Sequence, residues 1–241
     1  MTSPHLHDPM GAAIADYFRT DGKTTGRLRV FSPMFEEDEI PLETLFRAYD
    51  AMPPLEQQAL QLAAGKILDV GAGAGCHSLA LQDMGKAVTA IDISELSVET
   101  MRKRGVKDAR LQDFWLVEDR YDTLLMLMNG IGLIGTLDRL PAFFDRLRKV
   151  LTPQGQVLLD SSDICYVFET EDDVIEIPDH MNYYGELTYQ MQYKRIRGES
   201  FPWLYIDPDL LQEEAEKNGF QAEIVAYGEH YDYLARLTPK A

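Results

Sequence analysis

From Lys66 onward the sequence alternates between short apolar segments and longer amphipathic ones, and this alternation limits the fold more than any other feature. The apolar segments are predicted strands, at residues 66–71, 86–92, 121–128 and 156–161, and residues 107–111 predict a weaker strand between the second and third of these. The amphipathic segments between them are predicted helices, at residues 76–85, 95–105 and 137–151. Strands that alternate with helices form βαβ units, which build a parallel sheet with helices on both faces. We therefore predict an α/β fold with a doubly wound sheet.

The two ends of the chain have a sequence pattern different from this regular alternation. Residues 1–54 combine turn-rich and acidic stretches with helical spacing, including a helix at 11–20, and predict a helical cap or lid. The part that follows is expected to hold two more helices, at 54–64 and 207–219, and strands at 186–196, 222–228 and 231–237. The expected division is a cap at 1–54 and a single domain at 55–241.

Composition narrows the class of protein. The chain has 40 acidic and 23 basic residues, and its net charge of −17 repels the phosphates of nucleic acids. Its two cysteines are too few for a disulfide framework and are typical of a reducing compartment. The longest apolar run, at 124–128, is much shorter than the roughly 20 residues of a membrane span. The first ten residues also lack a signal-peptide pattern. We expect a cytoplasmic protein with no nucleic-acid or membrane partner.

A glycine-rich turn, DVGAGAG at 69–75, lies between the first predicted strand and its helix. Gly71, Gly73 and Gly75 allow the chain to turn sharply and allow a ligand to approach bare backbone. The helix that follows presents N–H groups and the positive end of its dipole to anionic parts of that ligand. Many nucleotide-binding folds share such a turn, so it predicts a ligand site without deciding the ligand.

Acidic residues follow the next two predicted strands. Asp92 lies 21 residues after Gly71, where a carboxylate accepts hydrogen bonds from two ribose hydroxyls. Asp113 lies 21 residues further on, where a carboxylate can accept a hydrogen bond from an exocyclic amine, with Ile93 or Phe114 as apolar walls. The carboxyl ends of parallel strands meet at one edge of a sheet, so these residues are expected to line one nucleoside site.

These motifs resemble those of the class I S-adenosylmethionine-dependent methyltransferases. The resembling segments cover residues 55–240 and include ILDVGAGAG (67–75), AIDIS (90–94), LQDF (111–114), YDTLLMLMNGIG (121–132) and LTPQGQVLLD (151–160). The resemblance implies a Rossmann-like sheet of seven strands with an antiparallel last strand, and S-adenosylmethionine as the cofactor. The cofactor-binding residues that it implies are Asp69, Gly71, Ala72, Gly73, Gly75, Asp92, Ile93, Asp113, Phe114 and Asn129. Among these, Asp92 resembles the ribose acid, and Asn129 follows the fourth strand beside the methyl group.

Two alternative functions stay open on the sequence. A nicotinamide-dependent dehydrogenase requires G-x-G-x-x-G, whereas Cys76 leaves G-x-G-x-G here. A non-catalytic regulatory module that binds S-adenosylmethionine would share the glycine turn, and turnover with an acceptor would separate it from an enzyme. MNGIGL at 128–133 lacks the Asn/Asp-Pro-Pro-Tyr/Phe motif of amino-methylating nucleic-acid enzymes, which argues against base methylation. Asp160 and Asp163 flank the end of the fifth strand without forming an evident metal-binding cluster, so we expect no metal.

The methyl acceptor is expected to be a small molecule that presents an oxygen, nitrogen or carbon nucleophile. A neutral oxygen or nitrogen must lose a proton at or after its attack, and a positioned side chain can take that proton. Asp163, His180 and His230 are the candidate bases, and the sequence does not rank them.

Overall fold

The structure is a computed structural model that describes residues 7–169, 174–178 and 181–240. Within these ranges the α-helices are α1 (Pro9–Arg19), α2 (Pro54–Leu62), α3 (Cys76–Asp83), α4 (Glu95–Arg104), α5 (Leu140–Val150) and α6 (Pro208–Lys217). The strands are β1 (Leu28–Ser32), β2 (Phe35–Ile40), β3 (Lys66–Val70), β4 (Ala87–Asp92), β5 (Ala109–Leu111), β6 (Tyr121–Met126), β7 (Leu151–Ser162), β8 (Glu186–Tyr193), β9 (Ile196–Arg197), β10 (Phe201–Leu204), β11 (Phe220–Tyr227) and β12 (Asp232–Pro239). Each helix and strand predicted from residue 54 onward is present, with shifted ends.

The larger sheet contains seven strands of the described chain, in the order β11-β12-β7-β6-β3-β4-β5. β4 runs parallel to both β3 and β5, and β6 runs parallel to β7. β12, the last strand in the chain, runs antiparallel to both β7 and β11. This order confirms the predicted α/β fold, with a Rossmann-like sheet of seven strands and an antiparallel last strand.

Helix α5 shows why the amphipathic segments fold as helices. Its fully buried residues are Leu140, Phe143, Phe144, Leu147 and Val150. Their spacing of three and four residues places them on one face of a helix, which the hydrophobic effect drives out of water. Strand β6 instead ends in three successive apolar residues, Leu124, Leu125 and Met126, all fully buried, as expected of a parallel strand that is covered on both faces.

The helical cap predicted for residues 1–54 needs correction, because residues 28–40 form a β-hairpin. β1 pairs antiparallel with β2 and also with β8. The smaller sheet has the order β10-β8-β1-β2, with β9 pairing with β8. β8 lies far later in the chain, so the local pattern around β1 carries no sign of this partner. Residues 42–46 and 49–51, within the segment whose spacing predicts helix, form short 3-10 helices.

Contacts divide the described chain into two compact units. The first unit contains residues 7–53, 64–117 and 188–201, so the N-terminal segment belongs with β3, β4 and β5. The second unit contains the described residues of 54–63, 118–187 and 202–240. The division between residues 54 and 55 that the sequence indicated stays a prediction, as does the role of residues 1–54 as a lid.

Candidate active site

The glycine turn leaves β3 and enters α3 through left-handed backbone. The φ angle is +68° at Gly71, +55° at Gly73 and +80° at Gly75. The Ala72 N–H donates to the carbonyl of Ile91 at 3.0 Å, which ties the turn to the neighbouring strand β4. Glycine is the residue that adopts these angles without steric cost, so the sequence motif and the local geometry agree.

The three glycines differ in what a side chain would meet. At Gly71, no described residue other than its chain neighbours places an atom within 4 Å of an ideal Cβ. At Gly75, an ideal Cβ would lie 2.9 Å from Val106 Cγ2, so this glycine allows α3 to pack closely against the segment after α4. The Ala72 side chain is buried in the cluster that contains Val106. Gly71 therefore leaves open space beside the backbone, whereas Gly75 has a packing role.

Asp92 ends β4 and holds the glycine turn through its carboxylate. The Gly73 N–H donates to Oδ2 and the Ser94 N–H donates to Oδ1, each at 2.8 Å. Burial raises the pKa of Asp92 to about 6, although these two N–H donors favour the ionised form. An ionised carboxylate has about four lone-pair positions, so both oxygens can accept further hydrogen bonds.

Asp69, in β3, makes a buried contact with the helix that follows the glycine turn. It is 2% exposed and accepts a hydrogen bond from Ser78 Oγ at 2.6 Å. Burial raises the pKa of Asp69, and His77 and the hydrogen bonds of Ser78 oppose that shift. The carboxylate therefore fixes the first turn of α3 to β3. Its predicted place beside the methionine part of a cofactor stays a prediction.

The residues predicted to hold an adenine differ in their exposure. Ile93 is 79% exposed, which is unusual for an apolar residue next to a buried strand. A flat apolar ligand would remove this surface from water and gain hydrophobic free energy. Asp113 is exposed too, and its Oδ1 accepts the Trp115 N–H at 2.8 Å. Phe114 is only 3% exposed, so its ring packs in the interior and presents little surface to a ligand.

Helix α1 packs against the glycine turn, a contribution that the sequence analysis missed. Ile14 is fully buried in one cluster with Ala74 of the turn. Asp8 accepts a hydrogen bond from Ser94 Oγ at 2.6 Å, directly beside the Asp92 strand end. Asp8 also caps α1, which begins at Pro9. An Asp-Pro pair is a recognisable helix start, so the sequence contained the signal for this helix boundary.

In the second unit, the loop after β6 is held by one carboxylate. Met128 and Asn129 are both left-handed, with φ of +62° and +56°. The N–H groups of Met128, Asn129 and Gly130 converge on Asp160 at 3.0, 2.7 and 3.4 Å. Burial, together with the charge of Glu56, raises the pKa of Asp160 to about 6. Successive N–H groups that converge in this way form an anion-binding concavity, here filled by the protein's own side chain.

The side chain of Asn129 is engaged within the fold. Its Nδ2 donates to the Leu204 carbonyl at 3.2 Å, and Ser161 Oγ donates to its Oδ1 at 3.0 Å. The backbone carbonyl of Asn129 accepts the Gly132 N–H at 2.9 Å. Asn129 therefore anchors the loop after β6, and its predicted place beside a methyl group stays a prediction.

We expect Asp160→Ala to lower the free energy of unfolding by about 2–4 kcal/mol, because the partly buried N–H groups of Asn129 and Gly130 lose their acceptor, at about 1–3 kcal/mol each. Urea unfolding followed by circular dichroism measures this loss. Asp145→Ala, which removes an exposed carboxylate on α5, is the matched control and should change the stability by less than about 1 kcal/mol. Equal effects in the two variants would contradict the proposed role of Asp160.

The structure brings together two of the three segments that carry candidate bases. Asp163 follows β7, and its N–H donates to the Tyr231 carbonyl at 3.0 Å. His230 is exposed in that same turn between β11 and β12. The Asp163 carboxylate accepts hydrogen bonds at Oδ1 from the Tyr184 hydroxyl and from the Cys165 N–H, both at 2.9 Å. His180 lies outside the described residues.

Two tyrosines link Asp163 to a second carboxylate. The Tyr183 hydroxyl donates to Asp207 Oδ2 at 2.8 Å, and the Tyr184 hydroxyl lies 3.3 Å from the same oxygen. Burial raises the pKa of both tyrosines, so their hydroxyls are neutral donors at neutral pH. In the described ranges, no group of three or more His, Cys, Asp or Glu side chains is placed to hold a metal ion.

Comparison with known proteins decides the family. A methyltransferase domain family matches residues 67–155, which include the glycine turn and Asp92. A SAM-dependent methyltransferase from Bacteroides fragilis, solved in complex with S-adenosyl-L-homocysteine, is 53% identical. The match covers 99% of this chain and 98% of that chain, with a TM-score of 0.93. The chain belongs to the class I S-adenosylmethionine-dependent methyltransferases. S-Adenosylmethionine is accordingly the cofactor of this methyltransferase, and the dehydrogenase alternative is excluded.

More distant methyltransferase structures share the fold of this methyltransferase. The CcbJ methyltransferase from Streptomyces caelestis is 19% identical, with 80% of this chain and 92% of that chain covered and a TM-score of 0.58. The structure described as a DhpI-SAM-HEP complex is 18% identical, with 99% and 100% covered and a TM-score of 0.59. No curated protein matches the chain.

Proposed function

We propose that this methyltransferase transfers the methyl group of S-adenosylmethionine to a small molecule, through an oxygen, nitrogen or carbon nucleophile of that molecule. The observation that carries the proposal is the pairing of Gly71 with Asp92. Gly71 leaves open space beside the backbone of the turn, and Asp92, at the end of the neighbouring strand β4, presents a carboxylate that is already fixed by the Gly73 and Ser94 N–H groups.

The residues of the first unit fit the cofactor. The open space at Gly71 suits the methionine part, and the Asp92 oxygens suit the two ribose hydroxyls. The exposed Ile93 suits one face of the adenine, and the Asp113 carboxylate suits its amine. When bound, S-adenosylmethionine supplies a methyl group already activated by a positively charged sulfur. The task left to the protein is to align the reactants and exclude water.

Asp163 is the base that we propose for an oxygen or nitrogen acceptor. The Tyr184 hydroxyl and the Cys165 N–H fix the orientation of its carboxylate through Oδ1. A carboxylate held in this way can take the acceptor's proton without first reorganising. His230 and His180 remain alternative bases; His230 is exposed, with its backbone N–H donating to Asp232 Oδ1 at 3.0 Å, and His180 lies outside the described residues.

We further propose that the acceptor is not a nucleic acid and that the protein works in the cytoplasm. A net charge of −17 opposes the approach of a polyphosphate chain. Both cysteines are unbonded thiols, as expected in a reducing compartment. Of the helices in the described part of the chain, none is long and apolar enough to cross a bilayer.

The acceptor class is tested by supplying methyl-tritiated S-adenosylmethionine and fractionated cell extract to the protein. We expect label in the fraction below about 1 kDa, at a rate proportional to the amount of protein. Label confined to the RNA, DNA or protein fractions would contradict the proposal. Label in no fraction, from protein that binds S-adenosylhomocysteine, would favour the regulatory-module alternative.

Once an acceptor is known, we expect Asp163→Asn to lower kcat at least about tenfold, since a general base contributes on the order of 100-fold or more. The affinity for S-adenosylhomocysteine should not change. His230→Gln and His180→Gln are the comparison variants. A tenfold loss in one of these, with Asp163→Asn within threefold of wild type, would transfer the role to that histidine.

A further inference from the structure

The acidic residue that precedes helix α1 reaches the site proposed for the cofactor. Asp8 is half-buried, and both of its carboxylate oxygens accept hydrogen bonds. Oδ1 accepts the Gly11 N–H at 2.7 Å, which caps α1, and Oδ2 accepts the Ser94 hydroxyl at 2.6 Å. Ser94 lies two residues after Asp92 in the chain. Asp8 therefore connects α1 to the end of β4, although it lies 86 residues before Ser94.

Ser94 links this contact to Asp92. The Ser94 N–H donates to Asp92 Oδ1 at 2.8 Å, and Ser94 Oγ accepts the Ser97 N–H at 3.0 Å as the cap of α4. A hydroxyl has a single proton, and Ser94 donates that proton to Asp8. Ser94 Oγ is thus held from two sides, by α1 and by α4. The N–H that orients the Asp92 carboxylate belongs to the same residue.

The contact between α1 and Ser94 depends on a glycine. An ideal Cβ on Gly11 would overlap both Ser94 Oγ and Asp8 Oδ2. Since any larger residue at this position would push the hydroxyl and the carboxylate apart, Gly11 is what allows α1 to approach Ser94 so closely.

Helix α1 also supports the second donor to Asp92. Ile14 is fully buried in one cluster with Ala74 of the glycine turn. Its Cδ1 lies 3.8 Å from an ideal Cβ on Gly73, the residue whose N–H donates to Asp92 Oδ2. Both N–H groups that fix the Asp92 carboxylate therefore belong to segments that α1 contacts.

We propose that Asp8 is a positioning residue for cofactor binding, which acts through Ser94 to hold the Asp92 carboxylate in the orientation that accepts two ribose hydroxyls. This role rests on the proposed function, in which Asp92 binds the ribose. A carboxylate that is oriented before the ligand arrives binds it more tightly, because less freedom is lost on binding. Ribose recognition then depends on the docking of α1 against Ser94.

The variant Asp8→Asn separates this role from helix capping. Asparagine caps helices about as well as aspartate does, yet its amide has one acceptor oxygen and cannot accept from both Gly11 and Ser94. The measurement is the Kd of the 2′-deoxy analogue of S-adenosylhomocysteine divided by the Kd of the parent ligand, from calorimetric titration. We expect this ratio to be about ten or more in the wild type, because a hydrogen bond to a charged group is lost. In Asp8→Asn it should fall to about three or less.

The titrations are made at pH 8, so that the charge of Asp8 does not itself alter the result. Burial, with smaller contributions from the charges of Asp8 and Asp69, raises the pKa of Asp92 to about 6. Removal of the Asp8 charge lowers that pKa. At pH 8 the Asp92 carboxylate is ionised in the wild type and in the variant alike.

A second variant and a matched control use the same helix. Gly11→Ala retains both Asp8 and Ser94 but places a methyl group between them, and the ratio should fall as in Asp8→Asn, although alanine is the better helix former. The control Asp16→Asn removes an equal charge near the other end of α1, where the carboxylate accepts hydrogen bonds from the Thr24 and Tyr193 hydroxyls at 2.8 and 2.6 Å. This control should lower the Tm and keep the wild-type ratio.

A wild-type ratio in Asp8→Asn or in Gly11→Ala, or an equal fall in Asp16→Asn, would overturn the positioning role. Circular dichroism verifies that each variant is folded before it is titrated. A ratio near one in the wild-type protein would have a different meaning. It would show that the assignment of Asp92 to the ribose is wrong, and the role of Asp8 would be overturned with it.

Discussion

Gly71→Val is expected to weaken the binding of S-adenosylhomocysteine by on the order of a hundredfold or more, about 2.7 kcal/mol. The new side chain would enter the open space beside the turn, where no described residue beyond the chain neighbours lies within 4 Å of an ideal Cβ. In the proposed complex, that space holds the methionine part of the cofactor. Calorimetric titration of the folded variant measures the loss.

A matched variant separates this steric effect from backbone strain. Gly85 has a φ of +74°, close to the +68° of Gly71, and a Cβ there would also meet open space. Valine is strained at either position, so Gly71→Val and Gly85→Val should lose similar amounts of stability. Only Gly71→Val should lose affinity for the cofactor. A folded Gly71→Val variant that binds within threefold of wild type would contradict the assignment of the glycine turn.

Asp92→Ala is expected to weaken cofactor binding by on the order of a hundredfold, because two charge-assisted hydrogen bonds at about 1.5 kcal/mol each are lost. The substitution also removes the acceptor of the Gly73 and Ser94 N–H groups, so a looser turn is an alternative cause of weak binding. The 2′-deoxy analogue of S-adenosylhomocysteine distinguishes the two. The analogue should bind wild type more weakly than the parent ligand does, and should bind Asp92→Ala as well as the parent does.

The affinity should also depend on pH through Asp92. Burial raises the pKa of this carboxyl to about 6, and its ionised form is the better acceptor for ribose hydroxyls. Affinity should therefore rise from pH 5 to pH 7 and level off above, and Asp92→Asn should lack this rise. Asp83→Ala, which removes an exposed carboxylate at the end of α3, is the control for net charge.

If the 2′-deoxy analogue still bound Asp92→Ala more weakly than the parent ligand does, ribose recognition by Asp92 would be contradicted.

Elements fixed by local chemistry were predictable from the sequence. The run of apolar residues in β6 and the helical spacing in α5 each report burial directly. Asp207 and Pro208 marked the start of α6, and the structure confirms the cap, with the Leu210 N–H donating to Asp207 at 2.9 Å. Asp8 and Pro9 carry the same signal, yet the helix predicted there began at residue 11. That boundary was available from the sequence and was missed.

Features that depend on distant partners were not predictable in this way. The hairpin of β1 and β2 is completed by β8, whose register no local pattern specifies. The hydrogen bonds from the loop after β6 to Asp160 require left-handed backbone at Met128 and Asn129. This conformation is rare for methionine, although it is more common for asparagine. The burial of Phe114 depends on packing in the folded chain. Spacing alone predicted Phe114 and Ile93 as apolar walls of one site, and only Ile93 is exposed.

A crystal structure of the protein with S-adenosylhomocysteine tests the central claim most directly, namely that the turn after β3 and the carboxylate at the end of β4 hold the cofactor. We predict that both ribose hydroxyls lie within about 3.2 Å of the Asp92 oxygens. The adenine should contact Ile93 with its amine toward Asp113, and the amino-acid part should lie beside Gly71. A ligand bound elsewhere, or a ribose turned away from Asp92, would contradict the account.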